Sequence, residues 1–465
     1  MLFSSLLFLF QFMPIFFLIY YILPVKWRNS FLFIASIFFY GWGEPRFLVL
    51  IFASISINYI CGRLIEHFDD SKYKNHLKKR KAVFLLSLLY NVGTLLLFKY
   101  ANFIIESINQ VLQLDISTVD IALPLGISFY TFQIISYTID VYKRDIKAES
   151  SFINLGVYLS LFPQLIAGPI VVYKDVAAEL KNRSSTLAQI EDGLKIFVLG
   201  LGAKVLIANN VGKLWEELGG LGYSNLSMPL AWLGIIAFTL QIYFDFNGYS
   251  LMAIGLGKMM GFQFPINFNY PYTSKSITEF WRRWHMTLSS WFRDYIYIPL
   301  GGSRKGRLRT FVNLFLVWSI TGLWHGASWN FILWGIYFFV LLLLEKLFLK
   351  KWLERRVVLS RIYTLFLVGI GWMIFAITDF TELGQFMRSA FSFQMETGGN
   401  IFLYYFKNYL VIISLGIFLS VPVFRKWFEK HKNGCIGNIL LTIILLLSVA
   451  YLVDASYNPF LYFRF

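Results

Sequence analysis

The chain has 465 residues, is 57% hydrophobic and 19% aromatic, and carries only 15% charged residues, where soluble domains carry about 25%. Charge-free runs recur along it, several as long as the about 20 residues that a bilayer crossing needs, which excludes a soluble domain with a large core. The net charge of +16 would suit a nucleic-acid binder, but the basic residues lie in short loops between apolar runs. That is the positive-inside pattern of a membrane protein, so the expected surroundings are a lipid bilayer, with no nucleic-acid partner.

The first run, 1–25, has no charged leader and no small-residue cleavage site, and reads as a retained span. Lys26 and Arg28 follow it, which puts the N-terminus outside. Runs 29–42 and 47–60 flank Gly41, Trp42, Gly43, Glu44 and Pro45, a tight hairpin signal. The chain then returns to a basic loop, 71–81, with Lys72, Lys74, Lys78, Lys79, Arg80 and Lys81. This loop, 303–309, 346–361 and 425–432 are read as cytoplasmic, solvated segments. Residues 82–98 go out and 121–141 come back. Segment 152–172 is apolar but holds Pro163, Gly168 and Pro169, as a re-entrant or kinked segment lining an interior would.

Runs 196–211 and 228–246 read as spans, although Lys204 interrupts the first. Stretch 277–293 is amphipathic, with Trp281, Trp284 and Trp291 among Arg282, Arg283 and Arg293, which favours the membrane interface. Residues 311–344 are too long for one span, and Gly322, Gly326 and Gly335 interrupt them. Runs 362–378, 409–424 and 433–453 complete the set, leaving the tail 454–465 at the outer face. The fold class is an all-α polytopic membrane protein with about 11 crossings plus re-entrant or interfacial helices, in one domain over 1–465 without repeats. Cys61 and Cys435 show neither disulfide nor metal spacing.

Five histidines are present. His67, His76 and His431 lie beside charged loops and read as solvated. His285 follows Trp281, Arg282, Arg283 and Trp284. His325 lies in an uncharged segment at membrane depth, where ionisable residues are costly and tend to be functional. A neutral imidazole, with an ordinary pKa of about 6.5, can take and return a proton; a hydrogen bond across helices would also account for it. Gly326 and Ala327 allow close approach beside it. No cysteine or carboxylate cluster accompanies either histidine, so a metal site is not expected. Asp245, among aromatics, needs a partner, and Arg282 or Arg283 could pair with it to fix helix packing. The tail from Asn458 to Phe465 is aromatic, as an interfacial anchor would be.

Phe280 to His285, Trp291 to Tyr295, Ile298 to Gly302 and the run Gly322, Leu323, Trp324, His325, Gly326 together resemble the membrane-bound O-acyltransferase (MBOAT) family. So do the segment 161–170 and the run from Tyr243 to Ser250. The nearest branch in likeness is the membrane subunit of alginate O-acetylation, whose relatives acetylate peptidoglycan or cellulose or D-alanylate teichoic acid. Two positions depart from that branch: Asn247 stands where it has serine, and Leu251 where it has a second aspartate, so a role for that carboxylate does not carry over.

The resemblance implies a helical ring around a tunnel. His325 would be the catalytic histidine at its narrow point and His285 a second one, with Asp245, Trp324, Asn330, Arg282, Arg283 and Trp281 lining or supporting it. It implies acetyl-CoA as cytoplasmic donor, an extracytoplasmic partner acyltransferase of the SGNH type and a polysaccharide acceptor, in the bacterial cytoplasmic membrane. It also gives the tail a role, since Tyr462 matches a tyrosine proposed in related systems to carry the acyl group. A thiol of pKa about 8.5 and a phenol of about 10 make thioester to phenyl ester a modest step. D-alanyl transfer to teichoic acid is the alternative within the family. A transporter is the alternative outside it, and no internal repeat of the kind common in transporters is present.

Overall fold

Backbone polar groups inside a bilayer must be satisfied within the chain, so runs like these fold as helices. The computed structural model describes residues 1–70, 74–119, 121–165, 168–392, 401–454, 457–459 and 461, and every regular element in it is helical. Tyr462, Phe460, 463–465 and Lys72, named above, lie outside the described residues, as do Ile166 and Ala167.

Eight of the described helices are long and apolar enough to cross a membrane: Pro45–His67, His76–Leu112, Leu187–Gly220, Met228–Met259, Trp329–Arg355, Val357–Ala376, Ile401–Leu419 and Cys435–Asp454. These eight do not confirm the expected count of about 11 crossings; the first run, run 29–42, run 121–141 and the first half of 311–344 also fold as helices. Their helices are Phe8–Ile22, Val25–Gly43, Ile127–Lys143 and Arg307–His325, which are shorter or more polar. The most apolar of the eight, Cys435–Asp454, is only 11% buried, whereas the least apolar, Met228–Met259, is 78% buried. That ranking is the reverse of a soluble protein's and fits lipid as the surrounding solvent.

The chain forms two compact units. The first comprises Met1–Phe197 and Met252–Pro265. Its centre is a cluster of phenylalanines in which Phe162 packs edge-on against Phe12 and Phe16 at 5.4 and 5.1 Å. A polar network of Asn58, Ser87, Asn91 and Thr138 ties three of its helices together. The segment 152–172 is broken as expected: Phe152–Ser160 ends at Leu161, and Phe162–Leu165 follows. Arg80, expected to be solvated, is 7% exposed and pairs with Asp69, which also binds Arg144. The basic stretches 346–361 and 425–432, expected as loops, are largely helical.

The second unit comprises Val198–Leu251 and Ile266–Phe465. Stretch 277–293, expected as one interfacial helix, is two short ones, Ile277–Arg283 and Met286–Phe292, broken at Trp284 and His285. Its tryptophans face inward: Trp281, Trp284 and Trp291 are all at most 9% exposed. The long stretch 311–344 is a hairpin of Arg307–His325 and Trp329–Leu344. Its two helices meet backbone to backbone, for a Cβ on Gly322 would lie 2.3 Å from the Phe331 carbonyl oxygen and one on Gly335 2.5 Å from that of Trp318.

No side chain can move aside at that crossing, so Gly322→Ala forces the two helices apart. Overpacking of this kind costs about 1–3 kcal/mol. Gly93, inside its helix, has no atom within 4 Å of a built Cβ, and Gly93→Ala should instead stabilise, because alanine is the better helix former. Thermal unfolding of the detergent-purified variants should therefore move in opposite directions, down for Gly322→Ala and unchanged or up for Gly93→Ala.

Candidate active site

The site is built around two imidazoles held by different means. His325 is the last residue of Arg307–His325, ahead of extended Gly326. Its ring meets Trp324 and Trp334 at 5.0 Å and Phe375 at 5.2 Å, each nearly edge-on. The ring is 4% exposed. Gly326 leaves room for Phe331, whose ring would lie 2.1 Å from a built Cβ. Phe331 in turn packs on Phe375 at 5.0 Å. Asn330 donates to the carbonyls of Ile374 and Phe375 at 3.2 and 3.3 Å, in the last turn of Val357–Ala376, where carbonyls lack helical partners. Asn330 thus supports His325 through Phe375.

His285 sits between the two short helices in the left-handed region, φ 43° and ψ 55°, which is costly for any residue but glycine. The cost is met by anchoring on both sides. Ahead of it, Ser276 caps Ile277–Arg283 by accepting the Glu279 N–H, and the buried Glu345 carboxylate accepts the N–H groups of Ile277 and Thr278 and the Thr278 hydroxyl. Around it, segment 267–269 pairs with 283–286: Asn269 N–H donates to the Arg283 carbonyl and Met286 N–H to the Asn267 carbonyl, both at 2.9 Å.

Asn267 also determines the state of the ring. Its Oδ1 accepts from the Thr287 hydroxyl at 2.9 Å, its Nδ2 donates to Ser250 Oγ at 3.1 Å, and Oδ1 lies 3.0 Å from His285 Nδ1. The Thr287 N–H, which can only donate, also points to Oδ1 at 3.4 Å and sets the amide orientation, so Nδ1 carries the proton. Nε2 is then left with the lone pair, and it is buried with no hydrogen-bond partner among the described residues. The His285 ring packs edge-on against Phe246 at 4.7 Å, and Trp324 lies against both imidazoles, 5.9 Å from His285 and 5.0 Å from His325. The arrangement is buried and aromatic, and the His285 Nε2 is a proton acceptor whose orientation is set.

The other expected site residues divide. Trp281 packs edge-on against Trp334 and Phe338, in the aromatic layer below His325. Arg283 binds Glu279, Thr273 and the Asn269 carbonyl, so it braces the loop that carries Asn267. Arg282 is exposed on the far side of its helix. Neither arginine pairs with Asp245: its partner is Lys204, at 2.5 Å, with both side chains 2% exposed. The sequence reading missed Asn267, Glu345 and Lys204 as site residues. The spacing of Ser276 and Glu279 is a capping signature that marks where the short helix begins; nothing local marks Asn267.

A buried histidine pair on a helical membrane scaffold defines the class. The chain belongs to the membrane-bound O-acyltransferase family, whose sequence profile matches residues 141–379, a span holding both histidines, Asn267, Lys204 and Asp245. Over the full length of both chains it is 37% identical to the probable alginate O-acetylase AlgI of Pseudomonas putida. It is also 37% identical to the peptidoglycan O-acetyltransferase of Helicobacter pylori, across 72% of this chain and 68% of that one. To the teichoic acid D-alanyltransferase of Streptococcus thermophilus it is 30% identical, across 49% and 58%. The protein is therefore a multi-pass membrane O-acyltransferase.

Asn267→Ala removes the acceptor that fixes the His285 tautomer and strands a buried N–H, a cost of about 1–3 kcal/mol. Acyl transfer by the purified variant should fall by about 10–100-fold, while Asn269→Ala, whose main-chain contacts survive the change, should stay near wild type. Equal activity of Asn267→Ala and wild type would remove the tautomer argument.

Proposed function

We propose that the protein takes an acetyl group from acetyl-CoA on the cytoplasmic side and passes it across the bacterial cytoplasmic membrane for O-acetylation of a surface or secreted polysaccharide. The observation that carries this reading is the buried pair His285 and His325 on one indole, Trp324, in a chain alike over its full length to a probable alginate O-acetylase. The basic clusters around Lys78 to Lys81 and Arg425 to Lys432 favour the cytoplasmic side for those segments, which puts both termini outside. The final transfer to the polymer falls to an extracytoplasmic acyltransferase of the SGNH type.

In this reading His325 is the general base and Tyr462 the first acceptor. The imidazole takes the phenol proton as the phenol oxygen attacks the thioester carbonyl. The carbon–sulfur bond breaks, and the thiolate recovers the proton from the imidazolium. Free CoA leaves on the cytoplasmic side. The acetyl-tyrosine is a phenyl ester, still activated towards a serine or sugar hydroxyl on the outer face. His285, with its Nε2 lone pair, accepts a hydrogen bond from the phenol or from water and orders the attack. Edge-on aromatic rings exclude bulk water that would otherwise hydrolyse the thioester.

Intact-mass measurement after incubation with acetyl-CoA should show one acetyl group on the wild type. His325→Ala should lose it, with CoA release slower by about 10²–10⁴-fold. Tyr462→Phe should lose the adduct while slow CoA release to water continues. An acetyl group on Tyr462→Phe at the wild-type level would sink the tyrosine relay, and full CoA release by His325→Ala would sink the base. A chain charged only by a D-alanyl carrier protein would move the substrate to the teichoic acid branch.

A further inference from the structure

The ion pair between Lys204 and Asp245 is fully buried, and its remaining hydrogen-bonding capacity is turned towards the C-terminal tail. Lys204 lies in a π-helical turn, Ala203–Ala208, of the long helix Leu187–Gly220; such turns often mark functional positions. Its ammonium donates to the Pro459 carbonyl as well as pairing with Asp245. The other Asp245 oxygen accepts the Leu461 N–H at 3.0 Å. One residue further back, Asn209 donates to the Asn458 side chain at 3.1 Å. The acceptor before residue 460 and the donor after it are thus gripped by opposite charges, and Leu461 is 7% exposed.

Close packing makes the grip possible. A Cβ on Gly248 would lie 2.7 Å from the Gly200 carbonyl oxygen and 3.2 Å from Lys204 Cβ. Gly248 follows Asp245 by three residues and Lys204 follows Gly200 by four, so on each helix the contact and the charge share a face. Two charges in an apolar interior need their further hydrogen bonds satisfied, and here a main-chain carbonyl and a main-chain N–H supply them. Recognition through main-chain groups fixes register rather than side-chain identity.

We propose that Lys204 and Asp245 form a docking site for peptide main chain that seats the C-terminal segment and sets the register of the residue after Leu461, Tyr462. The pair are positioning residues. The acyl-transfer consequence rests on the tyrosine relay above; the docking itself does not. Packing alone would leave the tail indifferent to the pair. Docking makes the tail's place depend on both charges and on one N–H.

The test uses the full-length protein in detergent, with Cys61→Ala, Cys435→Ser, Asn209→Cys and Asn458→Cys, bridged by mercuric ion. Two further changes are compared. The double change Lys204→Met with Asp245→Leu removes both prongs and leaves no orphan charge to unfold the helices. Leu461→Pro leaves the pair intact and removes the N–H along with the leucine side chain and the freedom of φ, with Leu461→Ala as the control that loses the side chain and keeps the N–H. Bridging should be efficient in the parent and in Leu461→Ala, and should fall about fivefold or more in the other two. In the same backgrounds without the bridging cysteines, acetylation of the tail from acetyl-CoA should fall about tenfold or more while CoA release to water persists. Bridging at the parental level in both altered proteins, or none in the parent, would overturn the docking site. Loss of CoA release together with tail acetylation would assign the pair a general structural role and overturn the positioning one. Bridging that falls as expected, with no tail acetylation in any sample including the parent, would leave the docking site standing and remove the tyrosine relay.

Discussion

The hydrogen bond between His285 and Asn267 is the interaction on which the site depends. A buried histidine can accept a hydrogen bond in a set direction only if the chain decides which nitrogen keeps its proton. Asn267 decides it, because the Thr287 N–H, which can only donate, points to its Oδ1 at 3.4 Å and so sets which end of the amide faces the ring. The backbone around His285 is bent to reach that bond, and the bend is sustained by Glu345 at one end of its helix and by the pairing of segments 267–269 and 283–286 at the other. Remove the asparagine and the strained turn remains, but it no longer presents a defined lone pair.

Glycine supplies the second condition. The hairpin carrying His325 closes because Gly322 and Gly335 let two backbones touch, and Lys204 reaches Asp245 because Gly248 does the same against Gly200. In lipid, apolar surface gives helices little reason to associate, so close backbone contact and buried polar pairs do that work. Both devices appear here at or beside the candidate site residues. The aromatic layer of Trp281, Trp318, Trp334 and Phe338 then fills the space around His325 with rings that offer no competing carboxylate.

Much of this was legible in the amino-acid order. Charge-free runs located the long helices, proline and glycine in 152–172 foretold its break, and His325 stood out as an ionisable residue in an uncharged segment. The likeness of the two histidine motifs to a known family pointed to acyl transfer, and the comparisons establish that family. What stayed hidden depended on partners distant in sequence. Asp245 was given an arginine partner because Arg282 and Arg283 were the conspicuous cations, whereas Lys204 looked like a flaw in a span. The tryptophans of 277–293 read as an interfacial belt because an alternation of arginine and tryptophan looks the same whether the rings face headgroups or a core. Arg80 looked like one more loop cation, yet it turns back onto Asp69. Asn267 carries no local signal at all.

The central claim is that the donor's acetyl carbon reaches the space between His285 and His325. The most direct measurement is a structure of the nanodisc-embedded protein with a CoA thioether that carries a ketone in place of the scissile thioester. The account predicts the ketone oxygen and its neighbouring carbon within about 3–3.5 Å of the imidazole nitrogens, with the adenosine end towards the cytoplasmic side. Density for the ketone elsewhere, with both imidazoles untouched, would contradict it.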